Sequence, residues 1–218
     1  MTSFKFMSAT GFWNQIYKVG HVAYMMRHFI PFLFFCRYPV TAPRVYNFLK
    51  ALKQNEGKNL NIGTAGFCWG AQFVTKLCHD LEENRLDDGK RVTQCGFVAH
   101  PSALKYPDSI DPIVLPYSVA ASEHDQQMSP EQAKITEEIL KRKNDETKSE
   151  GVEHEFVMYH GAHHGFAVSL NSLCSSWVKL TLLQVRADEN DKHEAECGKQ
   201  AEAQAVRWFT RWFASPSP

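Results

Sequence analysis

The sequence predicts one α/β domain across all 218 residues, a mainly parallel sheet with helices on both faces. Strand-like apolar runs alternate with longer amphipathic stretches, the order that parallel strands joined by crossover helices require. Hydrophobic residues make up 44% of the chain, enough to bury one sizeable core, and the length fits one such domain better than two. No internal repeat or long low-complexity linker divides it.

Phe4 to Pro39 is aromatic-rich, with weak helical spacing (Phe12, Ile16, Val19, Val22, Ala23, Met26) and a break expected at Pro31. Residues 1–40 therefore read as a helical cover, with Met25 to Phe35 either a lid and pocket wall or ordinary core. Thr41 to Lys53 opens with a capping Thr and an early Pro43, then sets Val45, Phe48, Leu49 and Leu52 on one face, predicting an amphipathic helix. Asn61 to Gly66 reads as a short strand running into Gly66-Phe-Cys-Trp-Gly70, and Ala71 to Leu81 as a helix. Cys95 to His100 and Ile113 to Ala121 have the continuous apolar character of buried strands, the second weakened by Pro116. Pro130 to Lys143 is expected to be helical, and Glu153 to Tyr159 alternates as an edge strand does. Ala201 to Phe213 carries Ala205, Trp208, Phe209 and Trp212 on one stripe of a closing helix, and the charged run Lys141 to Glu150 reads as a solvated helix end and loop.

Several function classes are disfavoured. Twenty-four Lys plus Arg balance twenty-four Asp plus Glu, so no long-range field steers nucleic acid or an anionic membrane to the surface. The six cysteines (Cys36, Cys68, Cys78, Cys95, Cys174, Cys197) show no zinc-type spacing, and free thiols in a reducing compartment are the simpler reading. The run Phe29 to Cys36 falls far short of a membrane span, and the amino terminus has no secretory pattern. A cytoplasmic protein is the expectation.

The chemistry concentrates in three places. Gly66-Phe-Cys68-Trp-Gly70 has G-x-S-x-G spacing with sulfur in place of oxygen. A nucleophile on a tight strand-to-helix turn needs flanking positions nearly free of side chain, and the start of a helix favours thiolate. Asp125 follows the Ile113 strand and His164 the Glu153 strand, giving the chain order nucleophile, acid, base. His163 is the rival base. His100 reads as a hydrogen-bonded structural histidine, and His154, His160, His163 and His164 lack a carboxylate or thiol at ligand spacing, so no metal is expected.

Gly66-Phe-Cys-Trp-Gly70, Phe97-Val-Ala-His-Pro-Ser102 and His164-Gly-Phe-Ala-Val168 together resemble the dienelactone hydrolase family over about Phe4 to Phe213. The resemblance implies an α/β-hydrolase that attacks small ester or enol-lactone carbonyls as a carboxymethylenebutenolidase does, without a cofactor. It carries the catalytic roles onto Cys68, Asp125 and His164, with Trp69 and Phe67 beside the oxyanion. His164 is preferred over His163 because it directly precedes the family's Gly-Phe pair.

Two departures from the family follow. Its opening strands, which carry a second oxyanion donor, and its upstream glutamate and arginine have no match here, so the first strands are expected to be missing. Ser169 to Val185 is apolar and patternless, and its flanks rejoin when it is removed, so it reads as an atypical insert: a translated intron, or a lid beside the base. The competing function is therefore a catalytically inactive remnant of the fold acting at most as a binding protein. A thiol oxidoreductase is disfavoured because no resolving cysteine lies near Cys68 in sequence.

Overall fold

The structure, a computed structural model, describes residues 12–147, 149, 151–168 and 192–214. It divides after Val45 into two compact units. The first contains helix α1 (Phe12–Phe35) and the start of α2 (Tyr38–Gln54). Pro31 lies inside α1 instead of ending it, because helical bonding resumes beyond the missing donor, with Cys36 N–H donating to Phe32 O at 2.8 Å. Phe34 and Phe35 are 63% and 71% exposed. No described helix is long and apolar enough to cross a membrane.

Helix α2 begins three positions before the predicted Thr41, and its buried residues differ from the expected stripe. Ala42, Tyr46, Leu49 and the stem of Lys53 are buried, whereas Phe48 is 65% exposed. Tyr46 takes the apolar role assigned to Phe48, and the Lys53 ammonium donates to Leu60 O, which lets its stem be covered.

The second unit is built on four strands, β1 (Gly63–Phe67), β2 (Cys95–Ala99), β3 (Tyr117–His124) and β4 (His154–His163). They lie in the order β1-β2-β3-β4, all parallel. Among the described residues β4 borders the sheet, as its alternation predicts, and no strand precedes β1. β3 starts only at Tyr117, because Pro116 has no N–H for the ladder; its carbonyl accepts from Gly96 N–H instead. The expected strand residues before it turn away, with Val114 and Leu115 donating to Cys78 O. That same turn ends α3 (Ala71–Leu77) short of the predicted Leu81, where Asn84 Nδ2 donates to Lys76 O at 2.7 Å.

Alternate residues of the strands feed two cores on opposite faces of the sheet. Val98, Tyr117, Val119 and Ala121 pack with Ala71 and Val74 of α3 and with Ala133 and Leu140 of α4 (Pro130–Glu146). Cys95, Phe97, Ala99 and Ala120 pack with Cys197, Ala201 and Trp208 of α5 (Lys192–Ala214). Each large side chain so buried contributes about 1.5–3 kcal/mol. A buried polar clasp fixes α5 to the sheet: Gln204 donates to Ser118 Oγ at 2.9 Å and accepts from Tyr159 OH at 2.9 Å. Ser129 and Gln132 cap α4 reciprocally. The expected insert, Ser169 to Val185, lies outside the described residues.

Candidate active site

One consequence of this topology organises the site: Cys68, His100, Asp125 and His164 are the first residues past the carboxyl ends of β1, β2, β3 and β4. Register keeps those ends together, since Phe67 pairs with Ala99 and His124 with His163. In an open parallel sheet this is the edge where ligands bind.

Cys68 opens a short 3-10 turn with φ +50, a left-handed conformation that costs a non-glycine residue of order 1–3 kcal/mol. The turn packs back on itself so closely that a Cβ at Gly66 would stand 2.8 Å from Gly70 O and 2.8 Å from a Val74 methyl. Gly70 is different: its φ is −64 and a Cβ there would meet nothing. The steric argument for a bare flank therefore holds on one side of Cys68 only.

Sulfur, imidazole and carboxylate form one contact series. His164 Nε2 lies 3.1 Å from Cys68 Sγ, and His164 Nδ1 lies 2.8 and 2.9 Å from the two oxygens of Asp125. The Asp125 side chain is 1% exposed and is held by Ser122 Oγ at 2.8 Å and by the Gln127 N–H at 2.7 Å. Burial raises its pKa, but the hydrogen bonds from His164, Gln127 and Ser122 outweigh that and leave it below the ordinary value. Burial likewise disfavours charge on His164, yet Asp125 and the Cys68 sulfur raise its pKa to about 9. The Cys68 thiol is lowered to about 5, most by His100 and next by His164; burial opposes this and Ser102 adds to it. Both shifts favour the thiolate–imidazolium form of the pair, and neighbouring side chains account for them without appeal to the seven-residue helix α3.

His163 stands outside this series. Its side chain is 62% exposed and faces Glu194 at 3.4 Å. Trp69 follows Cys68 in the turn with its ring edge-on to Phe73, and Phe67, 41% exposed, rests against Phe97 and His100. Two residues near the sulfur were given no part in the site from the sequence, although both stand in the Phe97 to Ser102 motif. Ser102 Oγ lies 3.6 Å from Cys68 Sγ, and the Ser102 N–H donates to Cys68 O at 3.1 Å. His100 is fully buried with φ +36, its ring edge-on to that of His164 at 4.9 Å. Neither of its ring nitrogens meets a polar atom in ordinary hydrogen-bond geometry, and its interaction with the Cys68 sulfur, the largest lowering of that thiol, gives it a place beside the site in addition to the structural role expected of it. Their signal was present in the His100-Pro-Ser102 triplet that follows β2. Among the described residues, the metal-capable groups that gather are Cys68, His100 and His164, whose ligating atoms all lie within 4.8 Å of one another, rather than the four histidines from His154 to His164.

A parallel sheet covered on both faces, with a cysteine on a strained turn at its carboxyl edge and an imidazole and carboxylate on the next loops, defines an α/β-hydrolase-type protein. The family model of the dienelactone hydrolase family matches residues 41–215, and the chain belongs to that family. Among solved structures, a Klebsiella pneumoniae protein assigned as a dienelactone hydrolase matches with a TM-score of 0.54 at 12% identity, over 80% of this chain and 62% of its own. A carboxylesterase from Lactobacillus plantarum matches with a TM-score of 0.52 at 12% identity, over 82% of this chain and 70% of its own. These likenesses concern the fold, and the chain spans less than two thirds of the Klebsiella protein's length. No curated protein matches the sequence.

Proposed function

We propose that this chain hydrolyses a small ester or enol-lactone through a thioester on Cys68. The reading rests on the unbroken series from the Cys68 sulfur through His164 to the buried Asp125, at 3.1 and 2.8 Å. Cys68 thiolate attacks the carbonyl carbon, and the backbone N–H of Trp69, the residue after the nucleophile, takes the developing oxyanion. The His164 imidazolium gives its proton to the departing oxygen. Now neutral, His164 takes a proton from the water that attacks the thioester, and the thiolate is released as the acid leaves. Asp125 fixes the imidazole orientation throughout and stabilises its cation. No step calls on a cofactor.

The thiols of Cys78 and Cys95 support Cys68 as an activated nucleophile by contrast. Both are buried and pushed up by desolvation, Cys95 to about 12. The test is rapid mixing with p-nitrophenyl acetate. A burst of nitrophenol matched to one acetyl group on Cys68 by peptide mass mapping is the expected result. Turnover by Cys68→Ala equal to that of the unaltered chain would refute the reading. Binding of substrate analogues without any burst would establish the non-catalytic alternative.

A further inference from the structure

Among the described residues of the second unit, His100 is the least satisfied group. Its imidazole is fully buried, neither nitrogen meets a partner in ordinary hydrogen-bond geometry, and the one group it acts on is the Cys68 sulfur. Leaving a buried polar group unpaired costs about 1–3 kcal/mol, and the residue's φ of +36 adds backbone strain. A buried polar group held this way calls for an explanation, and an ion is one that the neighbouring groups can supply. The groups that face it identify what that is. One ligating atom each from His100, Cys68 and His164 fall within 4.8 Å of one another, with the sulfur 3.1 Å from His164 Nε2.

We propose that Cys68, His100 and His164 form a binding site for a borderline-soft divalent cation of the Zn²⁺ type, and that its occupancy silences the thiol. One sulfur and two imidazole nitrogens exclude Mg²⁺ and Ca²⁺, which take oxygen ligands, and suit Zn²⁺, Cd²⁺ or Co²⁺. Tetrahedral bonds of about 2.3 Å to sulfur and about 2.0–2.1 Å to nitrogen place ligand atoms roughly 3.3–3.6 Å apart. The Cys68–His164 separation is already near this, and His100 has only to close a short gap. The outer contacts also match. Asp125 grips the far nitrogen of His164 at 2.8 Å, the carboxylate–imidazole pairing that orients metal-bound histidines. Three protein ligands leave a fourth position for water. Coordination displaces the proton shared by Cys68 and His164 to solvent, draws charge off the sulfur, and takes up the Nε2 lone pair that proton transfer would use. The site stands on side-chain geometry and does not depend on the hydrolytic reading.

The experiment is a Cd²⁺ titration of the full chain, read by thiolate-to-metal charge-transfer absorption, with X-ray absorption of the Zn²⁺-loaded protein. A saturable band at one ion per chain is expected. It disappears in Cys68→Ser and needs at least about 100-fold more Cd²⁺ in His100→Ala, more than the loss of an outer partner brings. His100→Gln, closer in size, gives the same shift, and melting curves establish that each variant is folded. Absorption fine structure should show one sulfur and two or more nitrogens on zinc. No band at large Cd²⁺ excess, equal affinity in a folded His100 variant, or a zinc shell without sulfur would each overturn the site. Cation binding by a chain that shows no acetyl burst would remove the hydrolase reading and keep this one. An acetyl burst without a band would do the reverse.

Discussion

The two ends of the sheet use charge in opposite ways. Around Thr93 and Gln94, which lead into β2, lies a cavity of about 620 Å³ lined by Lys53, Lys58, Arg85, Lys90 and Arg91. Its charges meet ordinary surface partners: Arg85 and Arg91 both reach Asp80, at 2.6 and 3.0 Å, and Lys90 reaches Asp88 at 2.9 Å. These exposed pairs hold their carboxyls low through simple contact. At the carboxyl ends, by contrast, a thiol lies beside two imidazoles, two non-glycine residues have positive φ, and a buried histidine is outside ordinary hydrogen-bond geometry. Chemistry is marked by unmet polar demand and strain, and cavity volume alone does not mark it.

The largest expected effect falls on the nucleophile. Cys68→Ala should lower ester turnover on the order of a millionfold, as removal of a nucleophile from a cooperating triad does. Asp125→Asn should follow, with a loss of about 10⁴-fold at unchanged fold, because the amide favours the wrong imidazole tautomer. Steady-state kinetics on p-nitrophenyl acetate checks both, and near-normal turnover in Asp125→Asn would detach the carboxylate from the site despite its 2.8 Å contact.

The pH dependence sharpens the contrast between the thiols. With Cys68 lowered to about 5 and His164 raised to about 9, the ion pair exists between those values. The kcat/KM should rise as pH passes about 5, where thiolate forms, and fall beyond about 9, where the imidazolium that protonates the leaving oxygen is lost. Ultraviolet thiolate absorption should show its low midpoint in the unaltered chain and lose it in Cys68→Ser. A thiol that titrates at its ordinary value would dissolve the proposed ion pair.

How far the site could be read from sequence follows the same division. Cys68, Asp125 and His164 were legible because each sits beside a local signal: a G-x-C-x-G turn, and polar loops that end apolar strands. His100 and Ser102 were harder, since their approach to Cys68 depends on β1 pairing with β2 so that Phe67 stands opposite Ala99. Pairing of that kind is a tertiary fact that no window of sequence contains. The helix faces show the same limit. The stripe of α5 was readable because Trp208 packs on the sheet, but the buried side of α2 came from Tyr46 where spacing favoured Phe48. Strand ends moved where a single residue governed them, as Pro116 delays β3.

Packing on the second face gives a smaller test of the comparison. Trp208 is 5% exposed and packs with Phe97, Tyr159 and Phe166 in the core that supports the carboxyl edge from behind. Trp208→Ala should cost about 3–5 kcal/mol in denaturant unfolding, while any folded fraction keeps the thiol's low pKa. The smallest effect belongs to the amino end. Arg85→Ala removes the 2.6 Å contact with Asp80, but Arg91 still reaches the same carboxylate at 3.0 Å, so the charge pairing survives in part. Turnover and the Cys68 titration should therefore be unchanged in Arg85→Ala, measured side by side with Asp125→Asn. A matched loss in both variants would mean that the two ends of the sheet are energetically coupled, and that the contrast between them describes appearance and not function.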